Sequence, residues 1–330
     1  MTGSSGGSVS RHHIAAVDIV KALSCIMIFL YHCNTILPGE WKFLTIFGQD
    51  LGNNLFFMVS GFSLAPSIGS TPPGRFHIWY LRRLARILPI TVIAYALTYM
   101  RGYFSFKDPA QLFAVFVYPT LYWFVTSILV FYIILFILGR HTGRKTKFAV
   151  CLLLFAAYLL LGERQERLYA AGFFSMLAGY MLRDGISDGF PEEAAEKLRR
   201  PALAALFVSF ALYMAGELTN ITYVSKGLIF AGAEGMGLSA LLSGYLVNDG
   251  LSGCLAKRPA LRAFISYLGG MALPLYLVQC FCSGYIGFWI GLHIDFPLSF
   301  LVNFIVVWTA GTVLYLIGNA LMKVSKKAGG

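Results

Sequence analysis

The chain has 330 residues, 58% of them apolar and only 12% charged, and carries a net charge of +11. A soluble domain holds roughly twice that charged fraction, so the sequence describes an integral membrane protein. Its basic excess is explained by Lys and Arg gathering in cytoplasmic loops; no repeated basic-aromatic pattern speaks for nucleic acid. The six cysteines form no C-x-x-C pair, and most fall within apolar stretches, which argues against a disulfide framework or a metal site.

Residues 1–13 are mostly Gly/Ser-rich and polar and read as a flexible cytoplasmic tail. Apolar stretches long enough to span a bilayer then recur near 14–37, 44–68, 78–100, 116–139, 147–162, 168–183, 201–218, 226–247, 263–291 and 298–322. Pro274 would permit a bend in the ninth. The largest polar insertion runs from Asp184 to Arg200, where Glu192 to Arg200 reads as a short amphipathic surface helix. If the N-terminus is cytoplasmic, basic clusters at Arg75–Arg86, Arg140–Lys147, Arg183–Arg200, Lys257–Arg262 and Lys323–Lys327 all fall on the cytoplasmic side. The other side holds only Lys42, Arg101, Lys107, Arg164, Arg167 and Lys226. The expected fold is therefore all-α: a polytopic transmembrane helix bundle of about ten spans, both termini cytoplasmic, with one membrane domain over 14–322 and a polar tail over 323–330.

Chemistry-bearing residues appear in chain order. In the first span, Lys21 and His32 are eleven residues apart, about three helical turns, so both leave the same face some ~16 Å apart along the axis. Asp18 lies one turn before Lys21 and can pair with it. Ionisable residues inside a span are costly and point to function. An interfacial His and a Lys reaching down to the inner surface beside Asp18 would fit the same spacing. The second span carries a polar outer end, Asp50, Asn53 and Asn54, and then Ser60-Gly61, which suits close approach either of a ligand or of another helix. At the start of the third span, Arg82 and Arg86 share a face with Arg83 between them. Guanidinium groups grip phosphate bidentately, and the same run would serve as a positive-inside anchor. Tyr122 and Trp123, in the fourth span, fit an aromatic belt or a sugar-stacking platform. Glu234 lies inside the eighth span among glycines, with no partner assignable from sequence.

Together these motifs resemble the acyltransferase 3 family of membrane acyltransferases. Its first-span pattern, Asp-x-x-Arg/Lys followed by ten residues and a His, is met by Asp18, Lys21 and His32. Phe56, Phe57, Ser60, Gly61 and Phe62 match its Phe-Phe-x-x-Ser-Gly-Phe stretch. Arg82, Arg83, Leu84, Arg86, Ile87 and Pro89 match its Arg-Arg-Leu-x-Arg-Ile-x-Pro run. Two positions depart from the pattern: Gln279 stands where relatives often carry a His after Tyr276-Leu277-Val278, and Asn54 stands where an Asp is common.

The resemblance implies a membrane-embedded O-acyltransferase in the cell (inner or plasma) membrane. The donor would be a cytoplasmic acyl-CoA, most often acetyl-CoA, with no metal. Arg82, Arg83 and Arg86 would hold its phosphates, and its arm would pass Ser60, Gly61 and Lys21. His32 would activate a hydroxyl of an extracytoplasmic or lipid-linked glycan, or become acylated itself. Asp50, Asn54, Tyr122, Trp123 and Glu234 complete the candidate acceptor-binding set. No hydrolase-like domain follows Lys327, so transfer is expected to finish here or to pass to a separate extracytoplasmic protein; a homo-oligomer is compatible with either. The rival reading is a proton-coupled transporter of a glycan precursor or small metabolite, in which Asp18, Lys21, His32 and Glu234 relay protons.

Overall fold

Within a bilayer every backbone N–H and C=O must be satisfied inside the protein, which leaves helices as the solution for chains of this hydropathy. The computed structural model describes residues 14–100, 102, 105–116, 121–162, 164–186, 189–282 and 293–328, and all regular structure among them is helical. The long helices are α1 (Ala15–His32), α2 (Asn53–Gly69), α3 (Phe76–Met100), α5 (Trp123–His141), α6 (Arg144–Leu160), α7 (Arg164–Gly185), α8 (Glu192–Leu218), α9 (Thr222–Leu246), α11 (Pro259–Phe281) and α12 (Leu298–Ala328). Two short helices, α4 (Pro109–Phe116) and α10 (Asn248–Ala256), join them.

Among the described residues, seven helices are long and apolar enough to cross a membrane: α1, α3, α5, α8, α9, α11 and α12. α2 and α6 have 17 residues each, and α7 carries Glu166, Arg167, Arg183 and Asp184 near its ends. The N-terminal tail over 1–13 and the end of the ninth expected span, 283–291, lie outside the described residues.

Three boundaries differ from the sequence reading. The segment 44–68 is not one helix. It runs as a 3-10 helix (Gly39–Thr45), a π turn (Gly48–Gly52) and then α2. Gly48 explains the break, because a Cβ there would fall 2.1 Å from the Cβ of Tyr31 on α1. The turn packs directly on α1 and widens to do so. Second, Glu192 to Arg200 is not a separate surface helix but the first turns of α8, which runs on through Pro201 with Lys197 and Glu193 paired at 2.6 Å. Third, residues 323–328 are helical, continuing α12 past the apolar stretch. α11 also runs on through Pro274.

α2 forms the centre, with buried residues from Asn53 to Ile68. It crosses α7 at van der Waals contact between backbones: a Cβ on Gly61 would fall 1.8 Å from the Met176 carbonyl oxygen, and one on Gly179 would fall 2.0 Å from that of Met58. Only residues without a Cβ permit this approach, the usual device of helix pairs in membranes. α8 and α9 form a hairpin, and α1 packs on α11. The largest apolar cluster gathers side chains such as Phe57, Phe124, Phe131, Leu135, Met176 and Leu275 from α2, α5, α7 and α11.

Candidate functional site

A cavity of 1480 Å³ opens at one end of the bundle, between the start of α1, the end of α2, the start of α3, the end of α7, the start of α8 and the end of α9. This exceeds the roughly 300–1,000 Å³ of ordinary ligand pockets. Its walls hold Lys21, Arg75, Arg82, Arg83, Arg86, Arg183 and Arg199, against Asp18, Glu192 and Asp249. The balance is strongly positive, and a concave site with low-dielectric walls focuses such a field onto anions.

The α3 wall follows from local sequence. Arg75 precedes α3 and its carbonyl accepts the Trp79 amide at 3.1 Å. Arg82 comes seven residues later and Arg86 four after that, spacings that keep all three near one helix face. Arg83 is turned aside. Its guanidinium donates to Ser67 Oγ of α2 at 2.8 Å and lies over the Trp79 ring at 4.9 Å. Trp79 Nε1 donates to the same hydroxyl at 3.1 Å, and that hydroxyl donates to the Leu64 carbonyl at 2.8 Å. This network fixes α3 to α2.

The opposite wall comes from distant parts of the chain. Arg183, in the last turn of α7, lies over Phe62 at 5.4 Å and Tyr245 at 5.6 Å, a geometry in which the ring faces attract the cation. Arg199 Nε on α8 donates to the Leu246 carbonyl at 3.4 Å. Asn248 Oδ1 accepts the Ala15 amide at 3.1 Å, tying the start of α1 to α10.

Of the residues singled out from the sequence, Asp18, Lys21, Arg82, Arg83 and Arg86 come together in this cavity. His32 is half-buried and does not line it. It lies farther along the α1 face that carries Lys21, its ring 5.4 Å from that of Tyr31. Between the two along α1, Cys25 and Ile28 are each only 5% exposed, and neither lines the cavity. Ser60 and Gly61 lie beyond the Phe62–Ser63 wall: the Ser60 hydroxyl donates back to the Phe56 carbonyl at 2.8 Å, and Gly61 faces α7.

The remaining candidates are not gathered at the cavity. Asp50 is half-buried in the π turn and Asn54 is buried at the start of α2. Tyr122 is 0% exposed, its ring 4.8 Å from that of Tyr95, so no face is open for stacking. Trp123 packs edge-on against Tyr169 at 5.8 Å. Glu234, 4% exposed, meets Ser175 of α7 at 2.5 Å, between α7 and α9. Gln279 is buried in α11, and its Oε1 has no hydrogen-bond partner among the described residues.

Sequence reasoning did not single out Arg75, Arg183, Arg199 or the Ser67 hub as site residues. The seven-residue step from Arg75 to Arg82 was a readable signal. Nothing local marks Arg183 or Arg199, because only the tertiary fold brings the ends of α7 and α8 opposite α3.

These features define a polytopic membrane protein with a deep anion-attracting chamber at one end of its bundle. The family model described as acyltransferase domain (Acyl_transf_3) matches residues 14–323, and the chain belongs to that family: it is an acyltransferase 3 membrane protein. Comparison with curated proteins and with solved structures gives no match.

Proposed function

We propose that the protein is a membrane O-acyltransferase that moves an acyl group, most simply acetyl, from cytoplasmic acyl-CoA to a hydroxyl on an extracytoplasmic or lipid-linked glycan. In this reading it crosses the cell membrane about ten times with both termini in the cytoplasm, and the cavity opens to the cytoplasm. One observation carries the proposal: a 1480 Å³ chamber lined by arginines and by Lys21, which is on the same face of α1 as His32. Acyl-CoA is a long ligand with phosphates at one end and a thioester at the other, and it suits a chamber charged at its mouth and leading inward.

The α3 arginines would take the phosphates, where planar guanidinium forks pair bidentately with oxygen. The pantetheine arm would pass Lys21 and continue between α1 and its neighbours. To reach His32 it would run past Cys25 and Ile28, since about 16 Å of helix separates Lys21 from His32. The His32 imidazole would then remove the proton of the acceptor hydroxyl as its oxygen attacks the thioester carbonyl. The tetrahedral intermediate collapses with cleavage of the C–S bond. The imidazolium returns its proton to the departing thiolate, giving an ester and free coenzyme A. Asp18, one turn from Lys21, would hold the ammonium in place.

The direct test is ligand protection of the purified full-length protein. Acetyl-CoA at about a hundred times its Kd would stabilise it by about 2.7 kcal/mol. The Arg82→Ala/Arg86→Ala protein would need far more ligand for the same protection. Equal protection of both, or protection of neither, would overturn the reading. Mass spectrometry of surface glycans with and without the gene would identify the acyl group and its acceptor together.

A further inference from the structure

The two arginine walls of the cavity are unlike one another, and the difference bears on which acyl donor fits. Arg75, just before α3, and Arg82 and Arg86 on it form a stripe along one face, about 16 Å from end to end by helical rise. Away from α3, the lining guanidinium groups, Arg183 and Arg199, come from two other helices, α7 and α8, with Lys21 of α1 as the remaining lining cation. Among the described residues, none of these five arginines has a carboxylate within ion-pair distance. Arg183 is instead held by the faces of Phe62 and Tyr245, and Arg199 by a backbone carbonyl. Both are oriented without being neutralised, which leaves guanidinium N–H groups for a ligand.

We infer that the cavity grips one ligand at two separate anionic groups: the α3 stripe takes a diphosphate along the path inward, and Arg183 with Arg199 take a lone phosphate on the far side. Resting on the acyl-CoA reading above, this assigns the second pair to the 3′-phosphate of the ribose. The stripe follows the direction in which the arm must travel, as a diphosphate leading into it would. The facing pair suits a single monoester branching from the nucleoside. The cavity thereby selects 3′-phosphorylated acyl-CoA over donors that lack this group.

Binding of coenzyme A and of 3′-dephospho-coenzyme A to the full-length protein in detergent, measured by calorimetry, tests the inference. Hydrogen bonds to charged groups contribute enough for coenzyme A to bind about tenfold more tightly. In Arg199→Gln and in Arg183→Gln the ratio falls toward one, while in Arg82→Gln both affinities drop and the preference remains. Arg199 is exposed, so its variant stays informative if loss of the Arg183 contacts impairs folding. Equal binding of the two ligands by the unaltered protein overturns this inference and leaves the acyl-CoA reading standing. Binding of neither overturns both.

Discussion

The Arg83 guanidinium donates to the Ser67 hydroxyl at 2.8 Å, joining α3 to α2 at the cavity wall. The same oxygen accepts Trp79 and donates to Leu64, so one small side chain organises the arginine wall. Ser67→Ala removes the acceptor of two donors at once. Unfolding stability should fall by about 1–3 kcal/mol. KM for the acyl donor should rise several-fold with kcat less affected, because the α3 wall that carries Arg82 and Arg86 is then no longer fixed to α2. Thermal unfolding and steady-state kinetics on the purified variant check both effects.

The α3 arginines act through charge. Arg82→Ala/Arg86→Ala should raise KM for acetyl-CoA at least about tenfold at low salt. The gap should narrow as ionic strength rises toward about 1 M, where the screening length falls to roughly 3 Å. A titration of KM against salt for both proteins measures this; a gap independent of salt would argue against a phosphate grip.

Gly61 separates a packing role from a ligand role. An alanine Cβ would fall 1.8 Å from the Met176 carbonyl oxygen, so α2 and α7 would have to part. Gly61→Ala should cost at least about 2 kcal/mol through overpacking, seen as a lower unfolding temperature and reduced yield. Unchanged stability with impaired donor binding would instead place Gly61 on the acyl-CoA path.

Glu234 and Ser175 join α7 to α9 through a buried contact at 2.5 Å. Glu234→Gln keeps the shape and a hydrogen bond to Ser175, and should fold at near-normal stability. Glu234→Ala leaves Ser175 without this partner and opens a void, and should lose about 2–4 kcal/mol. Paired unfolding curves decide it. If both variants fold equally well but stop transfer, Glu234 belongs to the chemistry instead.

Helix positions were legible because the bilayer imposes length and hydropathy on every span, and the eleven-residue step from Lys21 to His32 fixed their shared face. The breaks were less so. The interruption ahead of α2 depends on Gly48 meeting Tyr31 of another helix, and α8 runs continuously where a change of polarity suggested a separate piece. The α3 half of the cavity was written in a local motif. Its other half was not, since Arg183 and Arg199 meet it only across the folded bundle. Ser60-Gly61 is compatible with ligand approach or helix packing from sequence alone, and the backbone of α7 occupies the space beside Gly61.

The most direct test of the account is acyl transfer by the His32→Ala protein, reconstituted full-length in vesicles with acetyl-CoA on one side and a hydroxylated glycan on the other. Loss of the general base should slow transfer at least about a hundredfold, with acetyl-CoA affinity unchanged because the arginine walls are intact. Transfer at a rate close to that of the unaltered protein would contradict it.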